Sequence, residues 1–147
     1  MYWIIFFGIL ILDRITKYIA TSTLDLYQLV QVIPKFLYFT YVQNTGAAFS
    51  FFQGRMPFLL VFTAMALFFV LYLWRSSQPS QKLFRASLAM LAAGAVGNFI
   101  DRLFYSYVID FIHVPFFATF NVADIFVVFA VILILWNILF SKERWFR

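Results

Sequence analysis

Four stretches of the chain are apolar over about the 20 residues that a membrane crossing needs. They run about Tyr2–Ala20, Pro57–Trp74, about Leu83–Phe104 and about Val122–Phe140. The second is free of charge and stops at Arg75. The other three are broken by polar residues: Asp13, Arg14 and Lys17 in the first, Asn98, Asp101 and Arg102 near the end of the third, Asp124 near the start of the fourth. Between the first two spans, Phe36–Val42 (FLYFTYV) follows Pro34 and is rich in aromatic and β-branched residues, which predicts a strand. The pattern predicts an all-α integral membrane protein of four transmembrane helices. It also predicts a small extracytoplasmic β-sheet and a loop or helix on the periplasmic side. The whole chain, 1–147, reads as one membrane-embedded domain.

Composition agrees. Of 147 residues 65% are hydrophobic and 12% charged, whereas a soluble domain carries about 25% charged residues. A soluble fold of this size could not hide so much apolar surface. The net charge of +5 would point to nucleic acid only if the basic residues clustered on a soluble face. Instead Arg75, Lys82 and Arg85 flank one short loop and Lys142, Arg144 and Arg147 end the chain. Those six of eleven Lys and Arg residues place that loop and both termini in the cytoplasm, so 21–56 and 105–121 face outward. The apolar start has no basic n-region or small-residue cleavage site, and it reads as a span rather than a removable signal peptide. Without cysteine there is no disulfide, thiol nucleophile or cysteine metal site.

On this topology the unusual polar groups share one depth. Asp13 and Lys17 fall at the outer end of the first span, Asn98, Asp101 and Arg102 at the outer end of the third, and Asp124 at the outer end of the fourth. Asp110 lies in the loop between the last two. Ionisable residues at such places are expensive and are functional candidates by default. Asp110 and Asp124 lead. Two close carboxylates cannot both ionise cheaply, so one keeps a proton while the other acts as base, as in aspartic proteases. Each could instead merely cap a helix, and Asp124 suits the N-terminal dipole of the fourth span. Asn44–Phe49 (NTGAAF) sets Asn44 and Gly46 before small residues, either as an edge that grips substrate or as a turn. Asp13 and Lys17, four apart, read first as a local ion pair. Arg102 shares a face with Asn98 and could pair with Asp101 or another carboxylate, or hold a substrate carbonyl. The single histidine, His113, reads as a loop residue, since metal sites need several ligands. Neither H-E-x-x-H nor G-x-S-x-G occurs.

Five blocks stand in order: DRITK (Asp13–Lys17), NTGAAFS (Asn44–Ser50), GAVGNFIDR (Gly94–Arg102), VIDFI (Val108–Ile112) and FNVAD (Phe120–Asp124). The set resembles the lipoprotein signal peptidases, the type II signal peptidases of bacteria, over the whole chain. The resemblance implies an aspartyl endopeptidase of the inner membrane that needs no metal or cofactor and acts as a monomer. It implies that Asp110 and Asp124 form the catalytic dyad. Asn44, Gly46, Asn98, Arg102 and Asn121 would line the substrate site, with Asp13 and Lys17 supporting it and Asp101 structural. The implied substrate is a prolipoprotein whose Cys carries diacylglycerol, cut just before that Cys. Arg14 is a departure, since Gln is common there. The rival readings are a small transporter or channel subunit, which would need charges through the bilayer, and a membrane scaffold, which leaves the two carboxylates unexplained.

Overall fold

The computed structural model describes residues 1–46 and 56–140. Its elements run α1 (Tyr2–Thr23), β1 (Leu29–Ile33), β2 (Leu37–Asn44), α2 (Met56–Ser76), α3 (Lys82–Tyr105), β3 (Val108–Val114), β4 (Ala118–Phe120) and α4 (Val122–Phe140). The fold is mostly helical. Helices α2, α3 and α4 are long and apolar enough to cross a membrane. α1 is as long, with 22 residues, but Asp13, Arg14 and Lys17 interrupt its apolar run.

Helix α3 is the centre of the bundle, and α1, α2 and α4 all pack on it. Its sequence explains why: small residues face its neighbours. A methyl group added at Gly94 would lie 2.6 Å from the Ala123 carbonyl oxygen, and one at Gly97 would lie 2.7 Å from Asp13 Oδ2. α4 and α1 therefore approach α3 more closely than any side chain there would permit. At the other end of the bundle Val70, Phe84 and Leu88 form an apolar core with Leu73, Trp74 and Ile134 against it. The outward faces of the helices are bare hydrocarbon, for example Phe62, Phe68 and Phe69 on α2 and Ile132 and Leu139 on α4.

The segment between α1 and α2 and that between α3 and α4 combine into one antiparallel sheet of order β1-β2-β3-β4. The expected small sheet is present; the strand expected at Phe36–Val42 corresponds to β2, and β1, β3 and β4 are added to it. Both hairpins turn the same way. Pro34 and Pro115 stand at the first corner, and Lys35 (φ 60°) and Phe116 (φ 64°) take left-handed backbone at the second. The N–H of Phe36 donates to the Ile33 carbonyl and that of Phe117 to Val114, both at 3.1 Å. Proline at the first corner with positive φ at the second is the type II turn pattern. Strand β3 lies inside the sheet, and its first four residues, Val108 to Phe111, are buried. Asp110 is thus on a strand, not in a loop. The loop or helix expected on the periplasmic side is not found as a helix among the described residues, and Ala47–Ser50 of the second block lie outside them.

Asp13 corrects another expectation. It is not at the outer end of α1 but halfway along it. That depth is possible because Gly97 leaves room for its carboxylate and two cations neutralise it.

Gly94→Ala should lower thermal stability in detergent by about 1–3 kcal/mol, the usual penalty of overpacking. The obstructing atom is backbone and cannot rotate away. Gly8→Ala, with nothing within 4 Å, is the matched control and should be neutral or slightly stabilising. Equal unfolding midpoints for the two variants would contradict the close approach of α3 and α4.

Candidate active site

Asp110 and Asp124 are brought together by Asn121. Asn121 immediately precedes α4, and its Oδ1 accepts the Asp124 N–H at 2.9 Å while Asp124 Oδ2 accepts the Asn121 N–H at 3.2 Å. That reciprocal pair is a capping box, which satisfies two N–H groups the helix leaves open. The same Asn121 turns its Nδ2 to Asp110 Oδ1 at 2.8 Å, with the Asn98 Oδ1 and the Ile109 carbonyl also in reach. Its amide therefore touches both residues, the carboxylate of Asp110 and the backbone N–H of Asp124.

The outer oxygens are held from the sides. Asn44 Nδ2, on β2, donates to Asp110 Oδ2 at 2.9 Å. Asn98 Nδ2, on α3, donates to Asp124 Oδ1 at 2.7 Å. Behind Asn98, Lys17 Nζ donates to its Oδ1 at 3.0 Å, which fixes which way that amide points.

Lys17 belongs to a buried group of four charges. It pairs with Asp13 at 3.0 Å and Asp101 at 2.7 Å, and Arg14 pairs with the same two carboxylates at 2.6 Å each. Asp13 Oδ1 also accepts the Ala123 N–H, and Asp101 Oδ2 the Ile109 N–H. These hydrogen bonds anchor the residues immediately before Asp124 and Asp110.

Asn44, Asn98, Arg102, Asp110 and Asp124 line a cavity of about 590 Å³. Its other walls are apolar and include Phe120, Ile125, Val128 and Ile132. Arg102 makes no ion pair among the described residues; Asp101, one of the partners open to it, is taken by Arg14 and Lys17. Its Nε is buried without a hydrogen-bond partner, and the guanidinium lies within electrostatic reach of Asp124 and Asp110.

Several expected positions change. Asn121, expected to line the cavity, is buried behind it at 0% exposure, and Asp13 and Lys17, expected in support, are buried there too at 0% and 1%. Their hydrogen bonds are consumed by backbone and neighbouring side chains. Gly46 is buried too, and its N–H closes a turn onto Asn44 Oδ1 at 3.0 Å, which orients Asn44 rather than forming the cavity wall. His113 sits on β3 and bonds Thr119 across the hairpin. The sequence reading missed the apolar wall. Its signal was available: Ile125, Val128 and Ile132 share one face of α4 just beyond Asp124. Among the described residues no three His, Asp or Glu side chains are grouped to hold a metal ion.

Asp110 is pushed up from the usual 3.8 to about 7, first by burial and then by the charge of Asp124. The donors Asn44 and Asn121 and the charge of Lys17 only partly oppose this. Such a group can hold a proton near neutral pH and still release it.

Comparison with known proteins follows the same lines. The family model described as Signal peptidase (SPase) II matches residues 5–140. The lipoprotein signal peptidase of Clostridium novyi is 40% identical over 136 residues, covering 89% of this chain and 91% of the relative. That of Listeria monocytogenes is 36% identical over 138 residues, covering 91% and 90%. A solved structure described as a bacterial membrane enzyme superposes with a TM-score of 0.90 at 33% identity, covering 97% of this chain and 92% of its own. A second of the same description gives 0.86 at 33%, covering 97% and 94%.

The raised Asp110 has a measurable consequence. Between about pH 4 and its folded value of about 7 the folded state binds a proton that the unfolded chain has released, so stability falls as pH rises. Asp110→Asn removes that dependence. The stability of the variant relative to the parent should rise from pH 4 to 7 and level off above, as read from unfolding midpoints across pH. A difference that is flat with pH would show that Asp110 is not raised.

Proposed function

The chain belongs to the signal peptidase II family, and on that premise we propose that it cleaves lipoprotein precursors with Asp110 and Asp124 as an aspartic dyad. The observation that carries this reading is Asn121, which bonds the Asp110 carboxylate through its side-chain amide and the Asp124 carboxylate through its backbone N–H, beside a mostly apolar cavity that both acids line. The protein is a peptidase that removes signal peptides from prolipoproteins.

In the proposed mechanism the pair shares one proton and holds a water molecule between its carboxylates. The ionised carboxylate takes a proton as the water oxygen attacks the scissile carbonyl carbon. The protonated carboxyl polarises that carbonyl. As the tetrahedral intermediate collapses, the C–N bond breaks and a proton passes to the leaving amine. Arg102, which lines the cavity and makes no ion pair among the described residues, suits the carbonyl or the developing oxyanion. Asn44 and Asn98 hold the carboxylates in register, and the chain needs no metal for these steps.

The substrate we propose carries diacylglycerol on the Cys after the cut. The polar end of the cavity adjoins the apolar face of α4, so acyl chains and the scissile bond could be accommodated side by side. The same reading makes α1 a fourth span, paired inside the bundle through its charges. It places the protein in the cytoplasmic (inner) membrane as a monomer, with both termini in the cytoplasm and the sheet on the outer side. The charges of α1 do not favour an ion path, because each is consumed in the four-charge group.

Asp110→Asn and Asp124→Asn should each lower cleavage of a diacylglyceryl prolipoprotein by purified protein by about a thousandfold or more, while the variants still bind precursor. Near-parental turnover by either variant would remove that residue from the mechanism. In the same assay an unlipidated precursor should be cut poorly, and equal cleavage would refute the proposed role of the acyl chains. For orientation, a cysteine introduced at Gln78 should resist a membrane-impermeant thiol reagent applied from outside and one at Thr23 should react; the reverse would invert the topology.

A further inference from the structure

At the opposite end of the bundle a second cavity lies between α1 and α2, with α3 as its floor. It has a volume of about 390 Å³. Trp3 and Phe6 of α1 and Leu71 and Trp74 of α2 form its walls, and the floor includes the small side chain of Ala92. Nothing in the peptidase mechanism uses it.

Its mouth is cationic. Arg75 lines it. Arg85 stacks on two of its lining rings, with its guanidinium carbon 4.4 Å from the centre of the Trp74 ring and 5.4 Å from that of Tyr2. Those two rings meet edge to face at 5.0 Å. The Arg85 Nε is buried without a hydrogen-bond partner. Lys82 opens the first turn of α3 beside them, where the helix terminus is itself positive. Among the described residues no ion pair reaches Arg75, Lys82 or Arg85. The sequence has no Asp or Glu from 26 to 100, and its one acidic residue near the C-terminus, Glu143, stands among Lys142, Arg144 and Arg147. This end of the protein is thus an apolar slot under an uncompensated cluster of positive charge.

We propose that the slot binds one anionic phospholipid, with an acyl chain along Phe6, Leu71 and Ala92 and the phosphate between Arg75 and Arg85. A slender acyl chain suits a cavity of this volume. A substrate helix, about 10–12 Å across with its side chains, does not. Basic pockets between transmembrane helices favour anionic headgroups over zwitterionic ones. The orientation proposed above makes this a lipid of the cytoplasmic leaflet, but binding itself does not depend on that orientation or on the peptidase chemistry.

The test uses the full chain, purified in detergent, stripped of lipid and carrying Trp136→Phe and Trp145→Phe, so that Trp3 and Trp74 alone report. It is titrated with phosphatidylglycerol or phosphatidylcholine whose acyl chains are brominated, and quenching of tryptophan fluorescence is followed. Phosphatidylglycerol should quench at about fivefold lower concentration, the preference expected from about 1 kcal/mol per cation. Arg75→Gln should reduce that preference. Ala92→Leu keeps every cation but fills the floor, and it should weaken quenching by phosphatidylglycerol. Equal quenching by the two lipids in the parent, a preference unchanged by Arg75→Gln, or quenching unchanged by Ala92→Leu would overturn the proposal. So would displacement of the lipid by inorganic phosphate at matched concentration, because that marks a bare anion site. Since cleavage is not measured, either result leaves the peptidase reading to its own test.

Discussion

The neutral group of Asp13, Arg14, Lys17 and Asp101 is what the sheet-bearing half of the molecule depends on. Two carboxylates and the Lys17 ammonium are essentially removed from solvent, and each is matched by an opposite charge within 3.0 Å. A buried pair of this kind adds little net stability over apolar packing, but removing one partner leaves a charge stranded. Its main contribution is geometric. It fastens α1 to α3, and its two carboxylates reach beyond the helices to the Ala123 and Ile109 N–H groups. Those residues immediately precede Asp124 and Asp110. The backbone beneath both dyad candidates is therefore pinned by acids that never enter the cavity. This gives Asp13 and Lys17 a defined supporting position, and it explains why Asp101 cannot also serve Arg102.

Much of this was legible in the chain because the relevant signals are local. Long apolar runs located α2, α3 and α4 within a residue or two, and the Asp, Asn and Arg blocks located the residues that surround the cavity. The sheet was harder. β1 is exposed at every position, so it has no in–out alternation to read. Its hairpin and that of β3–β4 turn through Pro34-Lys35 and Pro115-Phe116, where no glycine advertises the left-handed corner. The repeated proline between β-rich runs was the missed clue. Long-range pairing was not legible at all. Spacing rules put Asp13 beside Lys17, and that pair exists, but nothing local says that Asp101, 84 residues from Lys17, completes it.

The two readings of Asp124, helix cap and catalytic acid or base, turn out to be compatible. One oxygen closes the capping box on Asn121, and the other meets Asn98 beside the cavity. A carboxylate at a helix N-terminus is favoured when negatively charged. Asp110 has no helix terminus of its own; it lies on a buried strand and is raised to about 7 by burial and by the neighbouring charge. Within the proposed dyad this asymmetry divides the labour. Asp124 is the partner suited to carry the charge and activate water, and Asp110 the one suited to carry the proton and polarise the carbonyl. Asn121 makes the division mutual. Its Oδ1 is committed to the helix N–H, so only the Nδ2 side faces Asp110. An amide donor placed there interacts with Asp110 in either state, through the carboxylate before the proton arrives and through the carbonyl oxygen of the acid afterwards. The same residue that starts α4 thus contacts both acids without fixing which of them holds the proton, and in the proposed dyad a shared proton has to be free to move in that way.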